Sequence, residues 1–351
     1  KVDVFYVAFS GGKDSIVTLD LVQRSLPHNK FKVLFGDTGM EFPDTYKLVN
    51  MIEQQCEERN IEFLRAKSNL TPSDSWLLFG PPAVTNRWCC SVHKTSPQVV
   101  LLREYLGKQS FRGMAFTGIR GDESASRSEY EDVSLGKKIR GQYSCHPILE
   151  WNSAELFSYI YERGLLINNT YKKGNTRAGC LVCPMSAGKH EFMKQQSYPE
   201  QTATFVNKIK ATSGKTEYSD AELMKFIDNG GWRTRKSGQE LNFGQDLHII
   251  ENDKSQKSIT VFTDNPTWVE WAKTIGNIIE IDAEHYTLDY AGKIYQVNRT
   301  FVNDGTSVFS FPNCHDEKAD IKFFSLFRNV IVKSIYCVQC GVCEANCSVG
   351  C

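Results

Sequence analysis

Near the start of the chain, Ser10-Gly11-Gly12-Lys13-Asp14-Ser15 follows an apolar run, Val4 to Phe9, and leads into residues with helical spacing, Ile16 to Val22. A strand that turns on glycines into a helix gathers backbone N–H groups around one point, with the positive end of the helix dipole behind them. That is an anion site. Gly11 and Gly12 permit a tight turn and close approach to phosphate oxygens, Ser10 and Ser15 offer hydroxyl donors, and Lys13 adds a compact positive charge. A plain glycine turn before a helix is the competing reading. The loop is not the Gly-x4-Gly-Lys-[Ser/Thr] type: Gly214-Lys215-Thr216 has Ile209 where the first glycine must stand.

Two other groups of residues have chemical potential. Gly118-Ile119-Arg120-Gly121-Asp122-Glu123-Ser124-Ala125-Ser126-Arg127 carries two guanidinium groups, each a planar fork suited to phosphate or sulfate, unless the segment is simply a solvated charged loop. The chain has 12 cysteines, many of them clustered: Cys89-Cys90, Cys180-Leu181-Val182-Cys183-Pro184, and a run at Cys337, Cys340, Cys343, Cys347 and Cys351. In a reducing compartment clustered thiols more often bind metal or do redox work than form disulfides.

Taken in order, these segments resemble the phosphoadenosine phosphosulfate reductase family of the PP-loop adenine nucleotide α-hydrolase superfamily. The hexapeptide looks like the PP-loop. Phe35-Gly36-Asp37-Thr38-Gly39-Met40-Glu41-Phe42-Pro43 is similar to the Asp-Thr-Gly segment that the family carries beside the adenosine, and the Gly118 to Arg127 segment to its Gly-x-Arg-x2-Glu-Ser-x2-Arg signature. The resemblance implies an adenine nucleotide held by Ser10, Gly11, Gly12, Lys13, Asp14, Ser15, Asp37, Thr38 and Gly118. It implies chemistry assisted by Lys13, Asp14, Arg120 and Arg127, with Mg²⁺ near Asp14 or Asp37. The pair Cys89-Cys90 followed by Cys180-x2-Cys183 looks like the frame that holds a [4Fe–4S] cluster in adenylylsulfate reductases and in the Dnd- and Ssp-type enzymes of DNA phosphorothioation; a Cys₄ zinc site is the alternative. Lys94, His93 and Arg177 stand nearby in sequence as groups to neutralise cluster charge or meet the nucleotide.

The chain departs from the assimilatory reductases in lacking the Glu-Cys-Gly-x-His tail whose thiolate attacks sulfur, unless Cys145 or Cys314 substitutes. Instead, Cys337-x2-Cys340-x2-Cys343-x3-Cys347-Ser348 resembles bacterial ferredoxin spacing, with Ser for the usual Pro, and implies a second cluster. The run is either truncated or completed by Cys347 or Cys351, and zinc is again the alternative.

The elements that must carry these residues read as alternating strands and helices over the first 150 residues. Expected strands are Val4–Phe9, Phe31–Phe35, Ile61–Leu64, Met114–Gly118 and His146–Leu149; expected helices are Asp44–Glu58, Gln98–Tyr105 and Ser153–Arg163, the last with Ser153 as cap. The expected fold is α/β: a Rossmann-like (HUP-type) doubly wound parallel sheet in residues 1–185, a helical extension in 186–230, a small α+β domain in 231–330 and a ferredoxin-like end in 331–351. Strands are expected at Leu247–Ile250, Ile259–Phe262, His285–Leu288 and Ile294–Val297, with a hairpin turn at Ala291-Gly292.

Composition sets outer bounds. With 351 residues, 41 basic against 41 acidic side chains and 41% hydrophobic residues, the chain is an ordinary globular protein with no global field toward nucleic acid or membrane. No apolar run approaches a transmembrane length and no signal peptide is evident, although the chain begins at Lys1 rather than Met; a cytoplasmic location is expected. Local basic segments, Lys137-Lys138-Ile139-Arg140 and Trp232-Arg233-Thr234-Arg235-Lys236, are either nucleic-acid contacts or solvated faces.

By analogy with Dnd and Ssp, the leading expectation is an ATP pyrophosphatase that adenylylates an acceptor, DNA first, for sulfur insertion, with a cysteine desulfurase as sulfur donor. A sulfonucleotide reductase is the second reading. An iron–sulfur nucleotide sensor in a phage-defence complex is the third.

Overall fold

A computed structural model describes residues 1–135, 142–186, 188–237, 240–242, 250–253, 257–262, 267–303, 305–315 and 317–347. The chain divides into two compact units, one of Lys1–Phe243 with Cys340–Cys351 and one of Gly244–Gln339.

In the first unit, strands β1 (Val4–Phe9), β2 (Lys32–Asp37), β3 (Glu62–Lys67), β4 (Gly113–Phe116), β5 (Val133–Leu135) and β6 (Gln142–Cys145) form one sheet in the order β3-β2-β1-β4-β6-β5. All pairings are parallel except the edge pair β5–β6. Helices α1 (Lys13–Ser25), α2 (Pro43–Glu58), α3 (Pro72–Phe79), α4 (Trp88–Cys90), α5 (Ser96–Leu106), α6 (Ala125–Ser128) and α7 (Ser153–Glu162) connect or follow the strands, and a π-helical turn, Ser91–Thr95, joins α4 to α5. Alternate residues of β1 and β2 feed opposite cores. Val7, Phe9, Val33 and Phe35 pack with Ile16, Leu19, Leu48 and Ile52 of α1 and α2, whereas Tyr6 and Leu34 pack with Val99 and Leu102 of α5. Burial on both faces is what a central parallel sheet requires. The doubly wound α/β fold expected from the sequence is therefore present.

Several expected boundaries move by one to three residues, the Met114–Gly118 strand to Gly113–Phe116 among them, and two further differences have local causes. His146–Leu149 is a turn, and the strand is the preceding Gln142–Cys145. Pro147 explains the shift, since it has no N–H to give to a ladder. Helix α7 is capped by Asn152 rather than Ser153: the Asn152 side chain accepts from Ala154 N and Glu155 N, while the Glu155 carboxylate accepts from Asn152 N at 2.7 Å. This reciprocal capping box satisfies two orphan amides.

Helices α8 (Lys189–Ser197), α9 (Pro199–Thr212) and α10 (Asp220–Asp228) build a further core in which Tyr198, Ile209, Ile227 and Trp232 pack with Met40, Phe42 and Trp76. The second basic segment is used in this region. Trp232 is buried, and the buried Arg235 donates to Pro81 O at 2.6 Å and Ser237 O at 3.1 Å. The first basic segment, Lys137 to Arg140, lies outside the described residues.

The second unit is an antiparallel sheet, β7-β8-β12-β11-β10-β9, formed by Ile250–Asp253 (β7), Ser258–Val261 (β8), Asn277–Glu280 (β9), His285–Tyr290 (β10), Lys293–Asn303 (β11) and Thr306–Ser310 (β12). Residues 247–249 of the expected Leu247–Ile250 strand lie outside the described residues. Ala291 (φ 54°) and Gly292 (φ 83°) make the tight β10–β11 turn, the left-handed pair that a two-residue hairpin favours. Helices α11 (Trp268–Ala272) and α12 (Lys318–Tyr336) bury Trp268, Phe323 and Phe327 against Tyr295, Val297 and Phe309. The last helix, α13 (Val342–Asn346), belongs to the first unit.

Asp320 of α12 is fully buried and accepts from Lys293 Nζ at 2.6 Å, Tyr295 OH at 2.7 Å and His315 N at 2.7 Å. Burial pushes its carboxyl up, but the Lys293 ammonium, His315 N–H and Tyr295 hydroxyl outweigh this and bring it down to about 2 from the ordinary 3.8. A carboxyl depressed in the folded state contributes stability that is fully present above the unfolded value and is lost as pH falls through the folded one. Hydrogen-exchange protection of the β10–β12 amides is therefore expected to fall between about pH 4 and 2. In Asp320→Asn it is expected to be lower at neutral pH and nearly flat across that interval. Identical profiles for the two proteins would contradict this assignment.

Candidate functional site

The parallel sheet reverses its winding between β1 and β4, and the crevice outside the carboxyl ends of such neighbouring strands is where open α/β sheets take ligands. A cleft of about 250 Å³ opens there, lined among others by Ser10, Gly12, Lys13, Asp14 and Ser15 from the loop after β1 and by Gly118, Glu123 and Arg127 from the loop after β4. Lys94, Tyr171 and Arg177 complete its wall.

The hexapeptide bends because Gly11 takes φ 69°. A side chain there would also approach Thr45 Cγ2 to 2.8 Å. The turn is fastened from behind: buried Asn168 donates to Gly11 O at 3.0 Å and to Thr45 Oγ1 at 2.8 Å. Gly12 caps α1 without any side-chain hydrogen bond; the Lys13 N–H is taken by Tyr171 OH at 2.9 Å, and the Asp14 and Ser15 N–H groups of the first turn have no side-chain cap. The two hydroxyls tie the loop together, with Ser15 Oγ accepting from Ser10 N at 3.2 Å and donating to Gly12 O at 2.9 Å.

Gly118 brings the second loop against the first. A Cβ there would meet the Asp14 carbonyl carbon at 2.7 Å and its oxygen at 2.8 Å. Arg120, only 3% exposed, stands behind the cleft and donates to Asp14 Oδ1 at 2.6 Å, Asp122 Oδ1 at 2.6 Å and Trp151 O at 3.4 Å. Asp14 also takes Lys13 Nζ at 2.9 Å. Its carboxylate thus serves two cations, which leaves it a poor ligand for Mg²⁺. Arg127 pairs with Glu123, as does Arg177 at 3.8 Å. Four cationic side chains, Lys13, Lys94, Arg127 and Arg177, face two acidic ones, Asp14 and Glu123, so the cleft is built for an anion.

Asp37 and Thr38 are not among the residues lining this cleft. Asp37 Oδ1 accepts from Gly39 N and Tyr46 OH, both at 2.9 Å, in a turn at the end of β2. Buried Thr38 donates to Glu41 Oε1 at 3.0 Å and lies 3.7 Å from Cys180 Sγ, so it looks toward the cysteines.

The segments that carry the four cysteines border a second core. The Asp37 to Phe42 segment pairs with the Cys180 loop through a Glu41–Cys180 bridge and the Leu181 N to Met40 O bond at 2.7 Å. Cys89 and Cys180 pack with Met40, Phe42, Trp76 and Trp88. A hydrogen bond that Cys89 makes with Cys90, then burial, then the charges of Cys90, Cys180 and Cys183 push the Cys89 thiol up. Burial, then Glu41, pushes Cys180 well above the ordinary thiol range, while the Lys94 ammonium opposes the rise. No group of three or more His, Cys, Asp or Glu side chains among the described residues is drawn together around a single metal ion. Even so, the donor set is all sulfur, of the kind that soft metal centres take; Cys89 is buried, Cys180 and Cys183 are half-buried and Cys90 is exposed. Buried polar atoms without partners, Trp76 Nε1, Trp88 Nε1 and Glu41 Oε2, belong to residues of this same neighbourhood.

His93 does not act as a cation here. It is buried with Nε2 2.8 Å from Ser75 Oγ, and burial brings its imidazole down to about 4. Cys145 and Cys314 are poor nucleophiles: burial raises the first thiol, and the second is buried in the core of the other unit. Of the C-terminal run, Cys340, Cys343 and Cys347 belong to the first unit and Cys337 to the second, while Ser348 and Cys351 lie outside the described residues. Helix α13 docks on α5 through Arg103, which donates to Glu344 O at 2.7 Å, Ala345 O at 3.3 Å and Cys347 O at 3.0 Å. Asn168 and Tyr171, which shape the phosphate loop, carry no spacing signal in the sequence.

Residues 5–186 match the phosphoadenosine phosphosulfate reductase domain family. Two uncharacterized proteins of Methanocaldococcus jannaschii are 31% and 30% identical over 71% and 66% of this chain, which spans 56% and 46% of their respective lengths. The adenosine 5′-phosphosulfate reductase of Geobacillus kaustophilus is 27% identical over 53% of this chain and 74% of its own. A crystal structure of phosphoadenylyl-sulfate reductase from Candida auris, 19% identical, covers 50% of this chain and 80% of its own with a TM-score of 0.39.

Gly118→Ala is expected to cost about 1–3 kcal/mol, because the Asp14 backbone cannot yield as a flexible side chain would. Gly179→Ala, with nothing within 4 Å of the added methyl, is expected to be neutral. Thermal melting of both variants decides, and a neutral Gly118→Ala would contradict the packing described.

Proposed function

The chain belongs to the phosphoadenosine phosphosulfate reductase domain family, and on that premise we propose that it is an ATP pyrophosphatase activating an acceptor for sulfur insertion. The observation that carries the reading is the anion cleft itself: the Asp14 and Ser15 amides of the first helical turn, without a side-chain cap, beside four cations, against two acidic side chains. In this reading an acceptor oxygen attacks the α-phosphorus of ATP, the bond to pyrophosphate breaks, and sulfur then displaces AMP from the adenylylated acceptor. Lys13, the loop amides and Arg127 stabilise charge that grows on the phosphates as the leaving bond stretches. Arg120 holds Asp14, and through it Lys13, in place.

Cys89, Cys90, Cys180 and Cys183 would hold a [4Fe–4S] cluster through their thiolates. When bound, the cluster supplies sulfur-binding and electron-transfer chemistry beside the cleft. Lys94 supports this placement, since it lines the cleft and also acts on Cys180. We extend the reading to DNA as acceptor, a cysteine desulfurase as sulfur donor, a second cluster at Cys337, Cys340, Cys343 and Cys347, and a cytoplasmic setting. No helix among the described residues is long and apolar enough to cross a membrane.

One observation favours a second reading: several relatives are named adenosine 5′-phosphosulfate reductases. The same cations suit a sulfated adenylate, and the product would then be sulfite.

Anaerobically prepared protein is expected to release pyrophosphate from ATP in the presence of an oligonucleotide duplex and a desulfurase. Lys13→Ala is expected to lower that rate by about 100-fold or more, in line with the loss of one transition-state charge contact. Cys180→Ser is expected to keep pyrophosphate release but lose sulfur incorporation. Full activity in Lys13→Ala sinks the site, and sulfite from adenylylsulfate without pyrophosphate from ATP selects the second reading.

A further inference from the structure

Tyr171 enters the phosphate cradle from a distant part of the chain. Its hydroxyl accepts the Lys13 backbone N–H at 2.9 Å. A phenol oxygen that accepts such a donor still has its own proton to give. No acceptor for that proton is found among the described residues, and Tyr171 lines the cleft beside Gly12, Lys13 and Arg177.

The side chain is fixed before any ligand arrives. Tyr171 opens a short 3₁₀ turn, Tyr171–Lys173, and the preceding Thr170 N donates to Asn168 Oδ1 at 3.0 Å. The amide of the same Asn168 holds Gly11 O, so one buried side chain positions both the loop and the turn that carries the phenol. The ring also packs edge-on against Phe157, with centroids 6.4 Å apart. Burial keeps the phenol in its protonated form, able to donate.

We infer that Tyr171 is a phosphate-binding residue of this cleft, donating its hydroxyl proton to an oxygen of the nucleotide's phosphate chain as a side-chain supplement to the loop amides. The inference rests on the reading of the cleft as a nucleotide phosphate site and adds a donor that neither the glycine loop nor the arginine segment supplies. A hydroxyl whose oxygen already accepts an N–H bond is polarised toward donation. It also needs no reorganisation when the anion arrives.

The test is calorimetric titration of the full chain with ATP, inorganic pyrophosphate and adenosine, wild type against Tyr171→Phe, which keeps the ring and its contact with Phe157. A hydrogen bond to a charged group is worth about 1.5 kcal/mol or more. The Kd for ATP and for pyrophosphate is therefore expected to rise about tenfold in the variant, with adenosine unchanged. A second measurement uses 3-fluorotyrosine at position 171, whose ¹⁹F resonance is expected to move on addition of pyrophosphate and to stay still with adenosine. Unchanged ATP and pyrophosphate affinities in Tyr171→Phe, or an equal loss for adenosine, overturn the role of Tyr171 while the cleft reading stands. If the wild type binds neither ATP nor pyrophosphate, the cleft reading itself falls and the inference with it.

Discussion

A guanidinium taken out of water must meet its counter-charges, and Arg120 finds them in Asp14 and Asp122, both at 2.6 Å. Asp14 stands in the first turn of the helix after β1, and Arg120 in the loop after β4. Their bond therefore joins the two loops that flank the switch in strand order, which is where the cleft opens. Gly118 makes the joint possible, since only a residue without Cβ lets the loop lie against the Asp14 backbone. Removing one partner of such a buried pair typically costs about 3–5 kcal/mol, because the other charge is left buried alone. The same pair holds Asp14 beside Lys13, so the positive charge at the mouth of the cleft is set by a contact that lies beneath it.

The cleft and the cysteines share one wall. Lys94 faces the first and acts on Cys180 in the second, and the segment after β2 ends in a main-chain bridge to the Cys180 loop. The π-helical turn Ser91–Thr95 follows Cys89-Cys90 directly and contains both Lys94 and His93. An added residue in a helix re-aims the side chains around it. Here the widened turn sends Lys94 toward the cleft and His93 into the interior, where it bonds Ser75.

Much of this is legible in the sequence because it lies in short contiguous motifs. The hexapeptide, the arginine segment and the cysteine pairs each occur within ten residues or fewer, and the strand-helix alternation around them is enough to give a doubly wound sheet. What escapes depends on long-range geometry. Asn168 and Tyr171 are far in sequence from the loop that they shape, and nothing in their type or spacing marks them. Thr38 looks like a nucleotide ligand from its motif but turns to Glu41 and Cys180, and His93 reads as a cation in the sequence but is buried and neutral in the fold. Helix α12 carries no assignment from the sequence, although Phe323, Phe327, Val330 and Ile331 recur at helical spacing; its aromatic and β-branched residues read equally well as strand.

What the cleft does depends on whether the glycine loop and the first turn of α1 receive the phosphates of an adenine nucleotide. The most direct measurement is a titration of the ¹⁵N-glycine- and ¹⁵N-lysine-labelled chain with ATP, followed by amide chemical shifts. Gly11, Gly12, Lys13 and Gly118 are expected to move together along one binding curve while Gly292 and Gly305, in the other unit, stay still. Saturable binding of ATP with the loop amides unmoved would contradict this phosphate site.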